Sequence, residues 1–222
     1  MDVAQEAPFR VKDCALAAIG TGLRARNLRE LHMLIEQAHP GCIYYHFWGM
    51  LLRPMFENPE YLNDFAEWAA HGLHDQRLAE RLGVIDPAEF SDTEALRREL
   101  LDKIEERLDE SEMVPWAKAD RQFHFVRSQI VVFDTRRVIA QPSGLPDAVA
   151  AMSTSSVFYH FIDARLRTPD GEDDFCAWLG GFGPRTFALR EEIKAVDPYF
   201  VPLRDLRDQL AGLFRAHFDK EK

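Results

Sequence analysis

Ile43-Tyr44-Tyr45-His46-Phe47, with Leu52-Arg53 behind it, returns as Val157-Phe158-Tyr159-His160-Phe161 with Leu166-Arg167, in register at an offset of 114. Outward from this stretch the echo continues. Asp64-Phe65-x-x-Trp68 is matched by Asp174-Phe175-x-x-Trp178, Asp86-Pro87 by Asp197-Pro198, and Leu96-Arg97-x-x-Leu100 by Leu206-Arg207-x-x-Leu210. The offset drifts only to about 110, which small loop deletions explain. An internal duplication of this kind decides the architecture, because a supersecondary unit that cannot cover its own apolar face is completed by a second.

The expected fold is mainly α with minor β: two tandem pseudo-symmetric repeats of about four to five short helices, each opened by a short strand or hairpin. A tail occupies residues 1–8, repeat one 9–112, a packed connector 113–122 and repeat two 123–222. Phe123-x-Phe125 and Ile130 to Phe133 favour extended backbone, and Val138-Ile139 offers a hairpin return. Cys14 to Ile19, alanine-rich, reads equally as strand or helix. Asn27 or Ser143 caps a first helix in each copy, Asn58-Pro59 opens a third, and the capping box Ser91-x-x-Glu94 opens the last. That last helix carries the stripe Leu96, Leu100, Ile104 and Leu108, echoed by Leu206, Leu210, Phe214 and Phe218.

Composition narrows the function classes. In 222 residues, 46% hydrophobic with sixteen phenylalanines, a sizeable core is available. The net charge of -10 is lopsided: residues 1–120 hold 23 acids against 13 Lys and Arg, while residues 121–222 hold 14 of each. Lacking a basic stripe, the chain is not expected to bind nucleic acid or an anionic membrane surface. No apolar run approaches the roughly 20 residues that cross a bilayer, and the N-terminus has no signal pattern, so a soluble cytoplasmic protein is expected. Cys14, Cys42 and Cys176 stand where the other copy has Ser128, Ser156 and Ala66, which reads as small buried side chains.

On Tyr45-His46-Phe47, Asp64-Phe65-x-x-Trp68 and their echoes, the chain resembles the prokaryotic family catalogued as domain of unknown function 5752, from Phe9 to about Phe218. The resemblance implies no activity, cofactor or catalytic residue.

The chemistry-bearing residues are duplicated too. Positions seven apart on a helix return to nearly one azimuth, so His46 shares a face with Arg53 and His160 with Arg167. Asp64 with Trp68, and Asp174 with Trp178, share faces at four apart. As a site, His46 or His160 would move protons, Arg53 or Arg167 clamp an anion, Asp64 or Asp174 orient the imidazole, and Tyr45, Trp68, Tyr159 and Trp178 line a ligand. As structure, each His donates to its Asp or to a carbonyl while the aromatics pack the core. Duplication favours the structural reading, since both copies need one core but a reaction needs one set of groups. A single metal site from His39, His46, His71 and His74 is a weaker alternative that repeat two lacks. No phosphate-loop, dinucleotide or nucleophile-elbow motif occurs, and Asp170-Gly171-Glu172-Asp173-Asp174 matches a calcium loop in composition only. The expectation is a non-catalytic binding or regulatory module without cofactor, its partner a protein or small molecule. The alternative is a small-molecule enzyme using the His/Arg/Asp cluster at the repeat junction.

Overall fold

Two seventeen-residue strands, each followed by a run of helices, stand out in the computed structural model, which describes residues 7–53, 59–110, 112–168 and 170–219. Strand β1 (Phe9–Ala25) leads into α1 (Leu28–Gln37), α2 (Pro40–Leu52), α3 (Asp64–His71), α4 (Gln76–Gly83) and α5 (Thr93–Asp109). Strand β2 (Phe123–Ile139) leads into α6 (Leu145–Ala150), a helix over 154–167, α9 (Asp174–Gly180), α10 (Phe187–Lys194) and α11 (Leu203–Asp219). The 154–167 helix has α-helical ends, α7 (Thr154–Val157) and α8 (Ala164–Arg167), around a π-helical stretch, Phe158–Asp163. The described chain is thus mostly helical with one two-stranded sheet, β1 against β2. Among the described residues, no helix is long and apolar enough to cross a membrane.

The strands correct the expectation of a short strand or hairpin. Neither turns back. Residue Thr21 donates its hydroxyl to the Phe125 carbonyl (2.7 Å) and Thr135 to the Val11 carbonyl (2.5 Å), a register that runs antiparallel. Just after each threonine the backbone enters the left-handed region, at Gly22 (φ 80°) and Arg136 (φ 60°). A kink of this kind bends a strand without ending it. The polar run from Asp134 to Arg137 is therefore a kink inside β2 rather than a hairpin loop.

Helix starts follow side-chain acceptors. Asn27 caps α1 by accepting from the Glu30 amide at 2.8 Å, as expected. Ser143 caps nothing: it lies in a short 3₁₀ turn, and α6 has no side-chain cap. Asn58 lies outside the described residues, and α3 is capped by Asn63, which accepts from Ala66 N at 2.8 Å. Asp92, not Ser91, caps α5, because its carboxylate reaches the Ala95 amide at 2.8 Å.

The chain divides into two units, Leu16–Ile130 and Met1–Ala15 with Val131–Lys222. In the 16–130 unit, Leu31, Ile35, Phe47, Phe65, Leu78 and Leu100 are fully buried, with Phe123 and Phe125 of β2 beside them. Helix α5 packs on α1, α2 and α4, and α3 packs on α4. In the discontinuous unit, Phe158, Phe161, Phe175, Tyr199, Leu210 and Phe214 are fully buried, with Phe9 and Val11 of β1 among them. Helix α11 packs on α6, α7 and α10. Each such aromatic or leucine side chain contributes about 1.5–3 kcal/mol on burial.

Candidate functional site

Each unit carries one His–Asp–Arg cluster, assembled from two helices and a strand far from them in sequence. In the 16–130 unit, α2 presents His46 and ends at Arg53, while the first residue of α3 is Asp64. His46 Nδ1 lies 2.7 Å from Asp64 Oδ2. Arg53 grips the same carboxylate in a fork, Nη1 to Oδ1 at 2.8 Å and Nη2 to Oδ2 at 2.9 Å, and stacks over the Tyr45 ring at 4.8 Å. The other imidazole nitrogen, Nε2, accepts the backbone N–H of Val126 in β2 at 3.1 Å. That bond settles the tautomer: Nε2 holds a lone pair, so Nδ1 carries the proton and donates it to Asp64.

In the discontinuous unit the arrangement recurs. His160 Nδ1 is 2.7 Å from Asp174 Oδ2, and His160 Nε2 accepts the Lys12 N–H of β1 at 2.8 Å. Arg167 lies over Tyr159 at 4.2 Å, but its guanidinium is shared among Asp163 (2.6 Å), the Tyr159 carbonyl (3.0 Å) and Asp174 (3.2 Å). The indoles also bind backbone, Trp68 donating to the Arg121 carbonyl (2.6 Å) and Trp178 to the Ala7 carbonyl (2.8 Å). Phenylalanines close both imidazoles in: Phe123 sits 4.7 Å from the His46 ring and stacks on Phe65, and Phe9 sits 4.8 Å from His160 and stacks on Phe175.

The electrostatics follow from burial. His46 is 2% exposed, and burial pushes its pKa down against the upward pull of Asp64. Burial alone would raise Asp64, yet hydrogen bonds from His46 and Arg53 outweigh it and hold the carboxyl below the usual range. The result is a neutral imidazole between a carboxylate and a strand. With its one lone pair already accepting an amide proton, His46 has no basic nitrogen left to take a proton from a substrate. A cleft of about 240 Å³ adjoins it, lined by Asp64, Glu67, Trp68 and His124 among others.

The structure scatters the histidines of the metal alternative. His39 Nδ1 caps α2 by accepting from Gly41 N at 3.0 Å, His71 is 3.8 Å from Glu60, and His74 Nε2 is 2.7 Å from Asp120. Among the described residues, no group of three His, Cys, Asp or Glu is placed to hold a metal ion. The cysteines are buried; burial pushes the Cys14 thiol up to about 12 and Cys176 higher still, so neither is a thiolate at neutral pH.

Sequence reasoning missed two features. The backbone partners of the imidazoles, Val126 and Lys12, carry no side-chain signal. A second cavity, about 540 Å³, lies by the loop before α9 and is walled by Arg165, Asp170, Gly171, Glu172, Asp173, Arg190 and Lys194. Asp173 there is 1% exposed, and burial pushes its carboxyl up. A break in the echo marks the place, since the copy-one residues at the offsets matching Arg165, Glu172, Asp173, Arg190 and Lys194 are Leu51, Leu62, Asn63, Ala79 and Gly83.

A mainly helical chain with one long two-stranded sheet and a strand-locked His–Asp pair in each unit is the class of protein that these features define. The chain belongs to the family of unknown function DUF5752, which it matches over residues 6–215. Among solved structures it is similar to OrfY from Thermoproteus tenax, at 32% identity, 97% coverage of this chain, 98% of that one and a TM-score of 0.84. No curated protein matches.

Proposed function

We propose that the chain is a non-catalytic binding or regulatory module built by tandem duplication, in which the two copies have exchanged their opening strands. Copy one spans 9–112, the connector 113–122 and copy two 123–222, preceded by a tail over 1–8. In the exchange, β1 brings Phe9 and Lys12 to the helices of copy two, and β2 brings Phe123 and Val126 to those of copy one. The single observation behind the non-catalytic reading is that both ring nitrogens of His46 and of His160 are taken by protein groups. The residues considered as catalytic (His46, Arg53, Asp64, His160, Arg167, Asp174) and as ligand-lining (Tyr45, Trp68, Tyr159, Trp178) then act mainly as locks between helix and strand.

Melting of His46→Gln and His160→Gln tests this. Each variant strands either a buried strand amide or a buried carboxylate, and each is expected to lose about 1–3 kcal/mol. Unchanged melting temperatures in both would return the histidines to the acid–base reading.

A further inference from the structure

The cavity beside α10 holds an unfinished polar network. Glu172 is saturated, its two oxygens taking Arg190 Nη2 at 2.8 and 3.2 Å and one of them Lys194 Nζ at 2.9 Å. Two cations thus share one carboxylate. Across from them Arg165, lying over the Phe161 ring at 4.3 Å, has Nη2 at 3.9 Å from Asp173 Oδ2, an ion pair too long for a hydrogen bond. Three buried polar atoms in this wall have no hydrogen-bond partner: Arg165 Nη2, Arg190 Nε and Asp173 Oδ2. Two are cationic donors and one is a carboxylate acceptor. Orphaned groups of this kind carry a desolvation penalty, and their clustering around one cavity calls for a guest that accepts from the arginines and donates to the aspartate.

The other copy shows what this place looks like when nothing is to be held there. By the sequence echo, Tyr61 stands where copy two has Gly171, and Gly83 where it has Lys194. The Tyr61 ring lies so close to Gly83 that a Cβ there would come within 2.8 Å of it. Asn63, at the place of Asp173, donates its amide to the Leu82 carbonyl at 2.9 Å and is satisfied. Copy one fills the space with a phenol ring and small or apolar neighbours. Copy two removes the ring and lines the opening with charge.

We propose that this cavity binds a singly protonated phosphate group, free or as a monoester, its oxygens held by Arg165, Arg190 and Lys194 and its P–OH donating to Asp173. This supplies the ligand for the binding module proposed above and rests on that reading. The pairing of donors with a facing acceptor selects phosphate by its proton count. The lining holds three cations, Arg165, Arg190 and Lys194, and three carboxylates, Asp170, Glu172 and Asp173, so its formal charge is balanced. One proton must lie between Asp173 and the facing ligand oxygen. Phosphate, with a second pKa of about 6 in monoesters, brings that proton; sulfate brings none.

Calorimetric titration of the full chain with inorganic phosphate, glycerol 3-phosphate and sulfate, at pH 6.5 and matched ionic strength, tests it. Phosphate is expected to bind at one per chain, at least about tenfold more tightly than sulfate, as a charge-assisted hydrogen bond is won or lost. A tighter fit for the glycerol ester would identify an esterified ligand, and a tighter fit for inorganic phosphate the free ion. Arg165→Leu and Arg190→Ala, which install the residues of copy one, should each weaken binding at least about tenfold. Asp173→Asn keeps a helix cap of the kind Asn63 provides, brings its own N–H, and should let sulfate bind as well as phosphate. Equal affinities of the wild-type chain for phosphate and sulfate, or no heat from either at 10 mM, would overturn the assignment. The second result would mean a cavity for water only and would leave the melting behaviour of the histidine variants untouched.

Discussion

His46 and His160 show how one side chain serves two unlike partners. An imidazole offers a donor and an acceptor on opposite edges, so it joins a helix-borne carboxylate to a strand amide, where Lys or Arg would offer only donors. Stability should follow pH accordingly. The folded pKa of His46 is lowered by burial, so the unfolded chain binds the extra proton, and stability falls as pH drops below the ordinary histidine value of about 6.5. Asp64, also lowered, loses its contribution at still lower pH, so both groups act in the same direction. Thermal melts should show a falling melting temperature from pH 7 to pH 5, and a flatter slope in His46→Gln. An identical slope in that variant would mean that other groups carry the pH dependence. Much of this cluster was legible in the sequence, because spacings of seven and four on helices put His, Arg, Asp and Trp on usable faces. The amides of Val126 and Lys12 were not, because a backbone N–H looks the same at every position and its partner is 80 or 148 residues away.

The second strand was legible in composition but not in length, and the first was not, since alanine-rich Cys14 to Ile19 reads equally as strand or helix. Phe123 to Phe133 reads as extended, whereas Asp134 to Arg137 has the polarity of a turn, and only the geometry shows a kink that the strand survives. At that kink Gly22 takes a positive φ without a Cβ, while Arg136 takes the same conformation with one. Left-handed backbone costs an L-residue about 1–2 kcal/mol, and nothing lies within 4 Å of a Cβ placed on Gly22, so the cost there is backbone alone. Gly22→Ala should therefore destabilise by about that amount, and Arg136→Gly should raise the denaturation midpoint. Chemical denaturation of the pair checks both signs. The helices were the easier part: the first three positions of each stripe in α5 and α11 are buried, with Leu108 and Phe218 half-buried, and the α5 cap erred by a residue where Asp92 rather than Ser91 reaches the Ala95 amide. The π-helical turn through Phe158–Asp163 has no counterpart in α2, although the two segments share Tyr-His-Phe, and nothing in their common residues announces it.

At the scale of the molecule, the copies legible in the sequence and the units of the fold do not coincide. The echo pairs residues by kind, and packing reports which residues keep water out together. Residues 16–130 hold α1 to α5 with the later part of β1 and the first part of β2 in one continuous stretch, including the Val126 amide and the Phe123 ring. Residues 9–112, the proposed first copy, lack both. A fragment of 16–130 should therefore fold by circular dichroism and melt cooperatively, while 9–112 should not fold until 113–222 is added. Independent folding of 9–112 would remove the strand exchange from the proposal. The split also orders events during synthesis. Once residue 130 has left the ribosome the first unit is complete, whereas Phe9 to Ala15 must wait for the last helix. At about 5–20 residues per second the delay is on the order of 5–20 s. Over that interval a nascent strand with an unsheltered phenylalanine, made before the helices it packs against, is exposed to chaperones or to neighbouring chains on the same polysome.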